Sequence, residues 1–529
     1  MNVCSVYSDR LQISENNFFY PHLSFRFGVY CLQFGPIEKE PCYKCQKLLI
    51  FLSIFYLVPH MKWLTLLLSV LLPIFGFTQK VSDNLSTGNL LNPTQILQQY
   101  VRIPSESGQE AKAGTFFKQL CKNAGLHITE MGNEDGKFNF MASLFPPEAN
   151  KPNIILLNHI DVIPESDGNQ FGPYSGKIDN GKIYGRGAMD NKGVAVMQLS
   201  ALNQIKQNED YQNSPYNISV LAVSCEETQC PGGVQFVIEN YWDQLNPAVV
   251  IGEGATEITE LVEKPFSNPI FGISLVHKRV YWIELELEIP VIAHGSITPL
   301  TYANQELVAA LHRLTKKKEK AIFNDVNTGF LKQMAAYHTG LQRFVLKNPR
   351  LFKSLIVPKL RKTPEIFSIF SNTITLTNLK SESETVNSNS MIATAGIDCR
   401  LMPETDEEEF KQELKKRLNN DKIKIKIIKS TPKTSPSSND NLYYKNLSLA
   451  ISENYPKSGT ISLLMPNFND LGYFRAKNVP CYGSVPITLD WDEARSIHGE
   501  NECVSIESLN KGTETYFIFL KKMIFDSGE

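Results

Sequence analysis

The chain has 529 residues, too many for one ordinary hydrophobic core, so two domains are expected. Its 53 basic and 55 acidic residues nearly cancel, and charged residues make up 20% of it. With no basic excess and no base-reading motif, nothing points to a nucleic-acid partner.

The chain begins with a region unlike the rest. Leu48 to Val58 is apolar, and Met61-Lys62-Trp63 opens a second apolar run, Leu64 to Phe77, that ends in Gly76-Phe77-Thr78-Gln79. A basic start, an apolar centre and small residues at the cleavage point predict a signal peptide over 61–78, with 1–60 an untranslated or removed leader. The mature protein is then secreted or periplasmic. Anchoring in a membrane is the alternative, although Pro59, His60 and Lys62 interrupt the join and each half is short for a span. Cys42-Tyr43-Lys44-Cys45 is a single CxxC without a second pair and specifies nothing.

Residues 79–268 read as the first part of a catalytic domain. Ile154 to Leu157 leads into Asn158-His159-Ile160-Asp161, Ile218 to Val223 into Cys225-Glu226-Glu227, and Ala248 to Ile251 into Gly252-Glu253-Gly254. Such unbroken apolar runs predict strands buried on both faces of an α/β domain, with the polar residues at their C-terminal ends. Between the first two runs, Gly185, Gly187 and Gly193 surround Asp190 and permit tight turns before a helix over 194–206. Cys225 and Cys230 flank the second loop, as a disulfide or as two buried thiols. The six cysteines from Gln79 onward are too few for a disulfide scaffold.

An inserted α/β domain is expected over 269–432. Ile270 to Val276 and Tyr281 to Ile289 alternate like strands of a sheet with one exposed face, Thr373 to Leu379 and Thr394 to Leu401 continue it, and Thr405 to Leu418 reads as a helix. Lys316 to Phe370 is long for a simple lid and places Phe330, Met334, Tyr337 and Leu341 at helical spacing among basic residues. Its readings are amphipathic helices packed on the lid, an apolar wall for an acyl chain, or a membrane-surface patch. The Ser/Pro/Lys-rich stretch from Ser430 to Asp440 returns the chain to the catalytic domain, whose second part, 433–529, brings Ser496-Ile497-His498-Gly499-Glu500-Asn501-Glu502.

His159, Asp190, Glu227, Glu253 and His498 together suit a pair of divalent cations of the zinc type, which accept nitrogen and oxygen donors. Five side chains give each ion three ligands only if one is shared, and Asp190 is assigned that place. Two such ions polarise a carbonyl and acidify water between them. Glu226, beside a ligand, remains free as general base. Taken singly, a histidine at a strand end or a Glu-Glu pair is more often structural.

Asn158-His159-Ile160-Asp161-Val162-Ile163-Pro164, the Gly185 to Gly193 segment, Cys225-Glu226-Glu227-Thr228, Gly252-Glu253-Gly254 and the His498 segment, in this order and spacing, resemble the M20 family of metallopeptidases. The nearest branch is that of carboxypeptidase S and the N-acyl-amino-acid hydrolases. The resemblance runs from about Leu91 to the end. It implies a di-zinc exopeptidase-like catalytic domain, a mixed sheet flanked by helices, carrying an inserted lid of the dimerisation type. It also implies that Asp190 bridges, that His159 and Glu253 complete one site and Glu227 and His498 the other, that Glu226 is the base, and that Asp161 orients His159. His294 would help bind the substrate carbonyl, in several family members across a dimer, and Arg400 would hold a substrate carboxylate. Structural alternatives are a surface loop for His294 and an ion pair with Asp398 or a nearby glutamate for Arg400. Cys225 and Gly252 depart from the family, where Asp is frequent.

The expected activity is zinc-dependent hydrolysis of a peptide or amide bond next to a free C-terminal carboxylate, as in a carboxypeptidase or dipeptidase, with Co2+ or Mn2+ as other ions that fit. The alternatives are an N-acyl-amino-acid deacylase and, in a different class, a non-catalytic binding protein that kept the fold.

Overall fold

The computed structural model describes residues 92–525 except 166–167, 260–267 and 384. The expected leader, signal segment and CxxC pair lie outside the described residues. Strands are numbered in chain order. One eight-stranded sheet runs β1 (His127–Glu134), β2 (Lys137–Ser143), β6 (Asn217–Val223), β3 (Asn153–His159), β7 (Pro247–Ala255), β14 (Cys481–Ser484), β8 (Ile270–His277), β13 (Gly459–Met465). Its centre is parallel, with β6, β3, β7 and β14 side by side, while β2 and β8 join antiparallel. The apolar runs explain this placement: every residue of β3 and β6 is buried, because helices cover both faces. Helices Pro93–Val101, Ala111–Asn123, Lys192–Lys206 and Ile506–Phe525 share one core with the sheet, and Val234–Asn240 and Leu471–Ala476 close the other side.

A second sheet, antiparallel throughout, runs β10 (Thr373–Ser381), β11 (Ile392–Leu401), β9 (Arg279–Glu288), β12 (Lys424–Ser430). Its strands alternate as the sequence predicts. One face buries Tyr281, Ile283, Leu285, Ile397 and Cys399 under helices Ala303–Lys316 and Glu407–Leu418. A small sheet runs β15 (Cys503–Ser505), β5 (Lys182–Tyr184), β4 (Lys177–Asp179) and braces the Asp190 turn.

The expected boundary at residue 269 falls one strand too early. β8 belongs to the large sheet, and all eight of its residues are buried. The small residues Gly272 and Ser274 look like the polar half of an alternating strand, but they are small because both faces are covered. A β-carbon on Gly272 would lie 2.5 Å from the Ala255 side chain and 2.7 Å from that of Leu463. The insert therefore starts at β9. A second difference concerns 316–370. Helix Asp325–Met334 packs Val326, Phe330, Leu331 and Met334 against Ile461, Leu463 and Leu464 of β13, so this segment extends the catalytic body instead of packing on the inserted sheet.

Candidate metal centre

The parallel strands deliver the expected side chains to one edge. His159 is the last residue of β3, Glu226 and Glu227 follow β6 directly, and Glu253 lies near the end of β7. Asp190 sits in the turn before helix Lys192–Lys206, with a cis Asp190–Asn191 peptide. His498 arrives from helix Trp491–Ser496, whose start is fixed by a capping box: Asp490 accepts from the Glu493 amide and Glu493 from the Asp490 amide, both at 2.9 Å. Such a cap contributes about 1 kcal/mol and sets where the following loop departs.

Asp190 occupies the middle. Its Oδ1 lies 3.1 Å from His159 Nε2 and its Oδ2 3.1 Å from His498 Nε2. Glu253 Oε2 is 3.2 Å from His159 Nε2, and Glu227 Oε1 is 3.3 Å from His498 Nε2. Two groups result, His159-Asp190-Glu253 and Asp190-Glu227-His498, each with its ligand atoms within 4.8 Å of one another. They share one carboxylate, that of Asp190. Glu227 Oε1 is buried and, beyond its approach to His498 Nε2 at 3.3 Å, has no hydrogen-bond partner among the described residues.

The cluster draws positive charge. Burial alone would lower the pKa of His159, but hydrogen bonds with Asp161, Asp190 and Glu253 lift it well above the ordinary value. Asp190 and Glu227 raise His498 to about 10. Asp190 is held below the usual carboxylate range: its burial acts upward, but hydrogen bonds from His159 and His498 outweigh it. Burial, then the charge of Glu253, push Glu226 well above the usual range. Three carboxylates converging with two imidazoles, one buried oxygen unpaired, fit a pair of divalent cations.

Asp161 meets both His159 and the loop after β6. The His159 Nδ1 is 2.9 Å from the Asp161 backbone carbonyl, which can only accept, so Nδ1 carries the hydrogen and Nε2 faces the cluster. The Asp161 carboxylate is 3.5 Å from that nitrogen. It also accepts the amides of Glu226 and Glu227 at 3.0 and 3.1 Å and the Ser107 hydroxyl at 2.7 Å, fixing the loop that carries base and ligand.

Several residues of the site escaped the sequence reading. Glu502 accepts Arg186 Nη1 at 2.9 Å and the amides of Gly187, Met189 and Asp190 at 3.0 Å, so it holds the Asp190 turn from within the same motif as His498. Gln229 Nε2 donates to the Glu226 carboxylate at 3.2 Å, and Asn191 donates to Glu253 at 2.9 Å. Asp470 is buried in a small cavity with Glu226 and Glu253. Glu502 and Gln229 lie within quoted motifs or just beside them; Asp470 has no sequence signal of its own.

The inserted sheet does not bring its two expected residues into the cluster. Arg400, on β11, directs its fork at Asp398 of the same strand, with Nε 2.8 Å and Nη2 3.1 Å from the two carboxylate oxygens, and lies over the Trp282 ring. His294 is exposed on the loop after β9, with Nδ1 2.8 Å from Ser296 Oγ. Cys225 and Cys230 are bridged, with Cα atoms 5.3 Å apart. Cys121, Cys399, Cys481 and Cys503 are buried free thiols.

Two candidate cation-binding groups sharing a carboxylate, at the C-terminal edge of a parallel sheet and beside a buried carboxyl group, have the makings of a metal-dependent hydrolase. The chain belongs to peptidase family M20/M25/M40, whose profile matches residues 155–522. It is 25% identical over 440 residues to the N-fatty-acyl-amino acid synthase/hydrolase PM20D1 of Homo sapiens, covering 80% of this chain and 86% of that one. It is 24% identical over 383 residues to a probable carboxypeptidase S-like 2 of Dictyostelium discoideum, covering 71% and 72%. The fold is that of the M20 metallo-carboxypeptidase Sso-CP2 of Sulfolobus solfataricus, with a TM-score of 0.60 at 19% identity over 82% of this chain and 99% of the other. Human carnosine dipeptidase 1 has the same fold, with a TM-score of 0.60 at 17% identity over 82% and 95%. The protein is a hydrolase of the metallopeptidase and amidohydrolase type.

Proposed function

We propose that the protein is a zinc-dependent hydrolase of amide bonds next to a free carboxylate, taking N-acyl amino acids or short peptides. The observation that carries this reading is the division of Asp190 between His159 and His498, with Glu226 lining one small cavity with His159 and Glu253. His159, Asp190 and Glu253 would hold one cation, and Asp190, Glu227 and His498 the other. Two zinc ions bound there supply polarisation of the substrate carbonyl and acidification of a water molecule.

The protein's own groups do the rest. Glu226 takes the proton of the attacking water as its oxygen bonds to the carbonyl carbon, and passes that proton to the amine as the C–N bond breaks. A carboxyl group made basic by burial and by Glu253 suits both halves of that transfer. Gln229 and the Asp161-anchored amides keep Glu226 in place. Arg400, released from Asp398, would grip the substrate carboxylate.

The N-acyl reading is favoured over the peptide one by the cavity that opens from Asp190 and Glu253, about 380 Å3 and walled by Ile258, Ile369, Leu463 and Leu464. The relative PM20D1 is named for fatty-acyl amino acids. The Cys225–Cys230 bridge supports an oxidising compartment and export. His294 stands near the exposed Ile292, Ile297 and Leu300, and β10 is an edge strand with Leu376 and Leu379 exposed. Pairing of this face with a second copy would cover it and carry His294 toward a substrate carbonyl. Turnover of N-acetyl and long-chain N-acyl amino acids and of dipeptides, with zinc and after chelation, tests the activity. No zinc-dependent cleavage of any of these amides would overturn it.

A further inference from the structure

The helical segment after residue 316 leaves an apolar surface unpartnered. No residue of helix Gly340–Lys347 is buried. Leu341 is 76% exposed and Leu355, on helix Lys353–Leu360, is 58% exposed. Between these helices and Asp325–Met334 runs a groove of about 570 Å3, lined by Met334, Leu341, Val345, Leu355 and Ile356. That size suits a small-molecule ligand, for which pockets hold about 300–1,000 Å3.

The groove borders the catalytic cavity. Phe330 and Ile366 line both it and the cavity that contains Asp190 and Glu253. A ligand reaching from the carboxylate cluster into the groove passes these two side chains. The geometry points to an acyl-chain subsite: the carbonyl carbon of an N-acyl amino acid sits at the cluster, its first methylenes occupy the cavity beside Ile369 and Leu463, and the rest of a long chain turns past Phe330 and Ile366 into the groove. This inference rests on the amide-hydrolase reading and adds the length and position of the acyl group. A docked helix or a membrane surface would cover Leu341 and Leu355 from outside but would give no role to Phe330 and Ile366, which the groove shares with the catalytic cavity.

The test is a homologous series of N-acyl glycines, from acetyl to hexadecanoyl, assayed with zinc-loaded full-length protein below the micelle concentration of each, together with calorimetric binding to protein held metal-free. Each buried methylene contributes about threefold to fourfold in affinity. Both kcat/KM and the association constant should climb steeply with length and level off once the groove is filled. Leu341→Asp and Leu355→Asp, at exposed positions that the fold does not need, should lower the dodecanoyl-to-acetyl ratio at least tenfold. Ile366→Trp, which narrows the passage, should do the same with the outer groove intact. A flat length profile in a protein that cleaves N-acetylglycine overturns the subsite while leaving the amide-hydrolase reading in place. A rising profile that none of the three substitutions changes, or one that appears only with phospholipid vesicles, overturns it too. Absence of cleavage at every length removes the reading beneath it.

Discussion

The C-terminal edge of the large sheet and the inserted four-stranded sheet are built by the same rules, yet they treat charge in opposite ways. At the edge, five candidate ligand residues from five separate segments are held against one another by bonds behind them: Glu502 under Asp190, Asp161 under Glu226 and Glu227, Asn191 beside Glu253. In the insert, Arg400 neutralises Asp398 two residues away and His294 bonds its own loop. The first region stores charge for something not made of protein. The second satisfies its charge locally, so its part in binding needs an exchange of partners. Catalytic power should therefore reside in the edge and selectivity in the insert.

The largest effect that can break this division is at the base. Glu226→Gln keeps the side-chain shape and every ligand but removes proton transfer, which contributes about 10²–10⁴-fold in such reactions. Turnover should fall by that factor with full zinc content by elemental analysis. A metal-replete Glu226→Gln protein with most of its activity would remove Glu226 from the mechanism. Asp190→Ala is expected to differ in kind: zinc per chain should drop together with activity, because both groups lose the oxygen they share. Two tightly held ions in that variant would refute the shared-ligand role.

The edge is also defended from behind. Arg186 and Glu502 form a buried pair, 3% and 1% exposed, and Glu502 accepts three backbone amides of the Asp190 turn. Glu502→Ala leaves Arg186 buried without its carboxylate, a change that costs about 3–5 kcal/mol in stability. Denaturant unfolding should show that loss, with zinc affinity falling alongside. An unchanged unfolding midpoint would mean that the turn stands without Glu502.

How much of this the sequence discloses follows the same line. Residues that end buried strands were legible, because an unbroken apolar run fixes where His159, Glu227 and Glu253 must emerge, and the motif order supplied Asp190 and His498. The membership of β8 was not, since Gly272 and Ser274 mimic exposure when they reflect crowding. Nor was the docking of Phe330 and Met334 on β13: helical spacing shows that one face is apolar and says nothing of which surface it meets. Asp470 approaches the site through tertiary folding alone, and the pairing of Arg400 with Asp398 depends on a fork geometry that residue order does not fix.

In the insert the expected effects are smaller. Arg400→Ala should weaken acids but not the matching amides, narrowing the acid-to-amide ratio in kcat/KM by about 10–100-fold, the worth of a charged hydrogen bond. If acid and amide are cleaved equally well by the unmodified protein, Arg400 has no part in recognition. Asp398→Asn, which loosens the competing fork, should tighten KM for acids if the exchange of partners is real.

The smallest effect tests the joint between the two regions. Lys278 stands between β8 of the large sheet and β9 of the insert, 1% exposed, donating to the Ser368 carbonyl at 3.2 Å and to Thr373 Oγ1 at 3.0 Å. Burial, then the charge of Arg400, lower its pKa to about 7 from the ordinary 10.5. The folded state thus gives up a proton that the unfolded state keeps between about pH 7 and pH 10.5, and stability conferred at this site rises with pH across that window. Below it both states are charged and the full cost of burying an ammonium is felt; above it both are neutral. Between pH 7 and pH 9 the native protein should gain about 2 kcal/mol relative to Lys278→Met, whose apolar side chain has no proton to lose. Unfolding curves at the two pH values measure that difference directly. If both proteins respond to pH alike, Lys278 keeps its charge when folded, and the joint must draw in water or a carboxylate to solvate it.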